Sequence, residues 1–246
     1  MSLSAQGDDL GAMFSAEAVK KFGKLTTLGM QSELRLNDDL SHLDRLSVSL
    51  QATHKVQPWL KASAQFTVIG DNNRRISHYK EGDRDVVKGL AKVGDRKNLR
   101  EYWGLRLRMN AGLTASQKFG RVKLSLREWW QYTYRPHRFI DGRYNYLYQK
   151  SDNTPHVYHG KAKHELRSRL KAEYHKKKHW LTPYASIECF NAWEVEKLRY
   201  TIGSEMKLSN ASTVEVFYRF QDRSDNSNID NHPDRHFLGL AYQLNF

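Results

Sequence analysis

Apolar and polar residues exchange places at nearly every step along most of this chain, the two-residue period of a pleated strand. In TVEVFYRFQ (213–221), Val214, Val216, Tyr218 and Phe220 share one face; Thr213, Glu215, Phe217, Arg219 and Gln221 share the other. LRYTIGSEMKL (198–208) sets Leu198, Tyr200, Ile202, Met206 and Leu208 against Arg199, Thr201, Glu205 and Lys207. HELRSRLKAEY (164–174), WGLRLRMNAGL (103–113) and RVKLSLREWWQYTY (121–134) alternate likewise. So do LKASAQFTV (60–68), LSVSLQAT (46–53), LTTLGMQSELRL (25–36) and, more weakly, LGAMFSAEAVKKF (10–22). Glu128 breaks the rule by falling on an apolar face, which predicts a bulge near it or a place at a rim. The chain closes with HFLGLAYQLNF (236–246), where Leu238, Leu240, Tyr242, Leu244 and Phe246 line one face.

The joints alternate between short and long. Short ones fall near Gly23, Pro58-Trp59, 114–118, 175–179 and 209–212; long ones span 71–98, 136–160 and 223–234. No low-complexity linker divides the sequence. The expected fold class is therefore all-β: an up-and-down antiparallel transmembrane β-barrel of 10–12 strands over residues 10–246. Eleven segments alternate, and an even strand number is usual. Twelve is favoured, with one strand hidden in 71–98. Residues 1–9 read as a flexible polar amino terminus, either ordinary or a tag or signal-peptide remnant around Ser4-Ala5-Gln6.

A soluble two-sheet sandwich would alternate too. The polar faces weigh against it. They carry the acids Glu17, Glu33, Glu165, Glu173, Glu188, Glu205 and Glu215. They also carry the bases Arg35, Lys61, Arg106, Arg108, Lys123, Arg127, Arg167, Arg169, Lys171, Arg199, Lys207 and Arg219. Opposite signs recur at similar heights, as a charge network across a polar lumen requires, and bases outnumber acids by about five. Tryptophans cluster at the strand ends. Trp59 and Trp180 sit at short turns; Trp103, Trp129, Trp130 and Trp193 lie toward the longer loops. Two aromatic girdles are the mark of a barrel in a bilayer.

Composition changes the picture in three ways. Hydrophobic residues make up 39% of the 246 and mean hydropathy is −0.76. Apolar runs are far too short for a spanning helix, whereas a spanning strand needs only alternate apolar residues. A net charge of +13 points to an acidic partner without choosing one. Cys189 is the one cysteine, so no internal disulfide is expected. It alternates with Ile187 and Ala185 and reads as a small outward hydrophobe.

Gly239, Tyr242, Leu244 and Phe246 make the last strand resemble the carboxy-terminal assembly signal of bacterial outer-membrane barrels. LRLRMNAGL (105–113), LSLREWWQYTYR (124–135), LRSRLKAEY (166–174), LTPYASIECFN (181–191) and LRYTIGSEMKL (198–208) resemble the domain-of-unknown-function 2490 family, DUF2490. That family is common in Bacteroidetes-type bacteria. The resemblance implies an outer-membrane barrel, a precursor with a signal peptide, and contact with membrane lipid, lipopolysaccharide and the barrel-assembly machinery. It brings no activity.

Candidate chemistry remains sparse. His78, His137, His156, His159, His232 and His236 share the long joints with Asp141, Asp152, Asp222, Asp225, Asp230 and Asp234. Rim-active outer-membrane hydrolases use such residues, but no glycine-framed serine or HExxH motif accompanies them. SDNSNIDNHPD (224–234) is oxygen-rich but lacks the spacing and closing glutamate of a calcium loop. The basic turn His175 to His179 offers too few ligands for a metal. No metal, cofactor or catalytic residue is expected, and no nucleic-acid partner. The expected function is a non-catalytic outer-membrane barrel with a charged Arg/Glu lumen. It would act as a narrow anion-leaning pore or as a binding or structural component, with a small anionic solute as partner. The alternatives are a rim hydrolase and a soluble barrel binding an acidic ligand.

Overall fold

The computed structural model describes residues 9–37, 39–175, 180–223 and 234–246. Its fold is all-β. The wall strands are β1 (Asp9–Phe22), β2 (Thr26–Asn37), β3 (His42–Gln57), β4 (Leu60–His78), β5 (Arg96–Phe119), β6 (Val122–Arg135), β11 (Lys161–Tyr174), β12 (Leu181–Asn191), β13 (Val195–Lys207), β14 (Ser212–Arg223) and β15 (Arg235–Asn245). Among the described residues these eleven strands close on themselves: each pairs antiparallel with the next, and β15 returns to β1 in parallel. The count falls within the expected ten to twelve.

The segment 71–98 holds no further wall strand. Alternation there continues past the barrel rim, so β4 and β5 run on as one long hairpin from Leu60↔Ala115 to His78↔Arg96. A short helix α1 (Arg84–Val87) sits in its tip. The strands β8 (Arg143–Asn145) and β9 (Lys150–Asp152) add to the upper edge of β5. The remaining pair, β7 (Arg138–Ile140) and β10 (His156–Tyr158), forms a sheet of its own. One end of the barrel is thus a cap of long connections, and the other has tight turns. The turn expected at 114–118 lies farther on. Strand β5 holds its pairing to Phe119, and the chain reverses at Gly120, whose φ of 59° an L side chain seldom adopts. The residues preceding Asp9, most of the 175–179 turn and residues 224–233 lie outside the described residues.

Every second side chain points inward, and the inside is a packed core. Phe237 and Ile69 are 1% exposed and Gln131 is 2% exposed, all from inward positions. Met13, Tyr184, Phe217 and Phe237 form a buried apolar cluster within the barrel. Large rings fit there because glycines face them. A Cβ on Gly239 would lie 2.0 Å from the Phe217 ring, and one on Gly11 2.6 Å from the Phe237 ring. Outward positions are the reverse. Leu50, Phe66, Met109, Leu113, Leu126, Ile202 and Leu238 are large, apolar and exposed.

Glu128 is mid-strand on this outer face. The registers of β6 with β5 and β11 run unbroken past it, so neither a bulge nor a rim explains it. Its carboxylate instead accepts a hydrogen bond from the Ser168 hydroxyl across the ladder at 2.6 Å. A real bulge occurs elsewhere, between Arg35/Leu36 and the start of β3, and it turns both Asp44 and Arg45 to the inside.

Gly239→Ala forces its new methyl into the Phe217 ring and should cost about 2–3 kcal/mol in urea unfolding. Adding Phe217→Leu should recover most of that loss, because it removes the colliding ring atoms. Failure of the double variant to recover would show that Gly239 is needed for something other than room.

Candidate functional site: the charged interior

The registers set the inward side chains in rows around the wall. One row runs Arg127, Arg169, Glu188, Arg199, Gln221 and Arg235 on consecutive neighbours β6, β11, β12, β13, β14 and β15. Glu188 is its hub. Arg127 reaches it at 2.7 Å, Arg167 at 2.9 Å and Arg199 at 2.9 Å. Three guanidiniums on one buried carboxylate give strong charge-assisted bonds. They also leave a local excess of positive charge.

Smaller networks surround this hub. Arg35 binds Glu33 at 2.8 Å. Asp71 binds Arg45 at 2.6 Å and also pairs with Arg106. Asp44 lies 3.4 Å from Arg235. Lys171 bridges Glu173 and Glu205 at 2.9 and 2.7 Å, and Lys123 holds Glu173 at 2.6 Å. Glu165 takes Gln131 at 2.5 Å and Lys163 at 3.1 Å. Arg108 makes no ion pair among the described residues, and its buried Nε lacks a hydrogen-bond partner.

Aromatic rings insulate these ions. Trp129 faces inward, and Arg127 stacks over it at 4.1 Å. It therefore leaves the outer girdle, because it shares the parity of Arg127 and Gln131 rather than of Trp130. Arg167 and Arg199 each lie 4.8 Å from the Phe190 ring, Arg219 4.7 Å from Phe217, and Arg35 5.1 Å from Phe237. Such contacts shield a guanidinium from water while keeping it favourably placed. A cavity of about 260 Å³ opens beside the apolar cluster, bounded by Glu17, Arg169, Arg199, Glu215 and Arg219.

On the outside, Trp130, Tyr132 and His164 pack together toward the loop end, Tyr218 and Phe220 pack on His236, and Tyr200 stacks on Phe220. Trp103 is exposed on β5 above the last β5–β6 pairing, and Trp193 projects fully from the β12–β13 loop. Trp59 and Trp180 are exposed at the turn end. In β15, Tyr242, Leu244 and Phe246 face outward while Gly239 faces the lumen. The Phe246 amide donates to the Val19 carbonyl at 2.8 Å and extends the closing seam.

The loop histidines are spread. His137 and His159 meet edge to face at 5.7 Å, His156 packs on Tyr158, and His236 bonds the Tyr218 hydroxyl on the outer wall. Among the described residues no group of three His, Cys, Asp or Glu side chains is placed to hold a metal. His232, Asp225 and Asp230 lie outside the described residues. In the cap, the Lys80 amide and then Lys97 hold the Asp83 carboxyl below its ordinary range. The Tyr79 hydroxyl donates to Asp85 at 3.1 Å, and desolvation pushes it upward.

The sequence matches the family described as proteins of unknown function (DUF2490) over residues 10–232. The chain belongs to the DUF2490 family. None of the curated proteins matches it. Among solved structures, it is similar to the translocator domain of the autotransporter NalP from Neisseria meningitidis, at 13% identity. That match covers 82% of this chain and 70% of the other, with a TM-score of 0.47.

Several interior residues of this DUF2490 barrel escape a reading of alternation. Asp71 lies where β4 was expected to end, so its pairing with Arg45 and Arg106 was hidden in a supposed loop. Asp44 and Arg45 are adjacent in sequence and only a bulge points both inward. Tyr184 and Phe190 carried a signal, since they share the parity of Glu188.

Glu188→Gln should destabilise the folded barrel by about 3 kcal/mol in urea unfolding, because it leaves three sheltered guanidiniums without a countercharge. An unchanged midpoint would mean that water, not Glu188, balances them.

Proposed function

We propose that this protein is an integral β-barrel of the bacterial outer membrane without catalytic activity. Its charged interior would serve as a narrow, anion-leaning passage or as a binding site. The observation that carries this reading is the inverted surface. Large aliphatic side chains are exposed all around the middle of the wall, while carboxylates and guanidiniums are buried inside. A water-soluble barrel would gain by the opposite arrangement, since a continuous exposed apolar belt drives association. In a bilayer the belt meets hydrocarbon, the closed ladder leaves no unpaired backbone edge, and aromatic rings at both ends meet the headgroups.

The interior favours narrow passage over a wide pore. Phe237, Ile69 and Gln131 are as buried as residues of a protein core, and the Phe217–Phe237 cluster occupies part of the interior. The surplus of arginine over carboxylate favours anions in whatever path remains. Membrane lipid and the phosphates of lipopolysaccharide are the expected partners of the belt and of the basic cap, and the last strand fits a role in barrel assembly. The natural precursor is expected to carry a signal peptide.

Reconstitution into a planar bilayer under a salt gradient tests the reading. Insertion with small steps and a reversal potential on the anion side is the expected result. Failure to enter the bilayer while staying monodisperse without detergent would overturn it. Glu128→Leu adds a second check, since it removes a carboxylate from the apolar belt. The variant should be more stable in lipid vesicles, by on the order of 1 kcal/mol.

A further inference from the structure

The row through Glu188 is unevenly balanced. Arg169 stands between Arg127 and Glu188 in the ladder, with a like charge directly across from it. Arg127 reaches past it to the carboxylate. Among the described residues Arg169 makes no ion pair, and its buried Nε has no hydrogen-bond partner. One row nearer the turn end, Arg219 donates to the Thr201 hydroxyl at 3.2 Å and lies 3.3 Å from the Met13 sulfur. Among the described residues no carboxylate forms an ion pair with it; Glu33, which borders the same cavity and is bound by Arg35, is its acidic neighbour. Both guanidiniums border the cavity. A sheltered charge without a partner is costly, so an anion entering the cavity here would be strongly favoured.

The other side of the same cavity has the opposite deficit. Glu205 and Glu215 face each other across the β13–β14 ladder. Glu205 is neutralised by Lys171 at 2.7 Å. Among the described residues Glu215 accepts only the Tyr184 hydroxyl, and Glu17 makes neither a hydrogen bond nor an ion pair; both border the cavity. Glu215 and Arg219 are four residues apart on the inner face of β14, about 13 Å between Cα atoms. Cations and carboxylates without ion pairs therefore look into one small space from separate ends, beside the paired Glu33, Lys171, Glu188, Arg199 and Glu205 of the same lining.

We propose that this cavity binds a small zwitterion of the amino-acid or short-peptide class. Its carboxylate would sit between Arg169 and Arg219, and its ammonium between Glu17 and Glu215. A plain anion would satisfy the first pair and be repelled by the second, and a plain cation the reverse, so discrimination is built from both ends. Guanidiniums suit a carboxylate because their planar fork can bond it twice. At about 260 Å³ the space suits a molecule smaller than those filling drug-sized pockets. The proposal rests on the reading of the interior as a solute site, and gives that site its ligand class.

Isothermal titration of the folded barrel in detergent micelles tests it with three probes of one backbone. These are glycylglycine (zwitterion), N-acetylglycylglycine (anion) and glycylglycinamide (cation). Glycylglycine should bind at least about tenfold tighter than either of the others. Arg169→Gln and Arg219→Gln should each weaken glycylglycine and N-acetylglycylglycine alike. Glu17→Gln with Glu215→Gln should weaken glycylglycine but strengthen N-acetylglycylglycine, a crossing that general loss of structure cannot produce. N-acetylglycylglycine binding as tightly as glycylglycine would overturn the proposal in favour of a simple anion site, and no binding by any probe would overturn it outright. The titration needs no bilayer. Absent binding alongside normal insertion and anion-leaning conductance counts against this proposal alone; binding without insertion counts against the membrane reading alone.

Discussion

Closure of the sheet is the constraint from which the rest of the structure follows. An open edge of eleven strands would present a row of unpaired amides and carbonyls, a liability in water and prohibitive in hydrocarbon. Here β15 meets β1 along Asp9↔Arg235 to Val19↔Asn245, and the ladder has no described edge in the wall. A parallel pair is slightly less stable per residue than an antiparallel one. The seam holds one register from end to end without a shift. Even strand number is therefore a regularity of how such barrels are usually built, and not a condition of sealing one.

Closure also fixes what the inside must be. A ring of this size leaves a lumen that side chains can nearly fill, and alternation gives half of every strand to it. Because the outer half carries the hydrophobes, the inner half receives the ions, and these are brought together away from bulk water. Arginine dominates the sheltered positions around Glu188 because its planar, weakly hydrated head can share one carboxylate and stack on Trp129 or Phe190 at the same time. Lysine is used toward the two ends, where Lys123 and Lys171 meet Glu173 and where Lys163 meets Glu165. The glycines opposite Phe217 and Phe237 are the steric counterpart: rings fill space that charges cannot, and only a missing Cβ makes room for them.

The two-residue period made most of this legible. It gave the wall strands and the parity of Glu33, Arg35, Arg127, Arg167, Arg169, Glu188, Arg199 and Arg219, because alternation is a property of one strand at a time. What it could not give was anything set by two strands together. Residues 71–98 read as a long joint that hides one further wall strand, because they are as polar as a loop; they instead extend β4 and β5, each supplying the other's backbone partners from Asn72 to His78. Trp129 was grouped with its neighbour Trp130, although adjacent residues on a strand face opposite ways. Glu128 violated the pattern without a local cause; its explanation is Ser168, forty residues away in sequence and directly opposite in the ladder.

The distribution of charge inside the barrel is the strongest argument that the interior does more than hold the wall apart. A purely structural network would tend toward neutrality at each height, since every unpaired sheltered ion subtracts from stability. Glu173 and Glu205 with Lys123 and Lys171, two carboxylates against two ammoniums, meet that ideal. Around the cavity, as at Arg108, the pairing of individual charges is incomplete. Arg169 has Glu188 directly across the ladder yet makes no ion pair among the described residues, and it borders the cavity together with Glu17. Folding alone gains nothing from that arrangement. On the zwitterion proposal, a ligand that supplied the missing charges would return that cost as binding free energy.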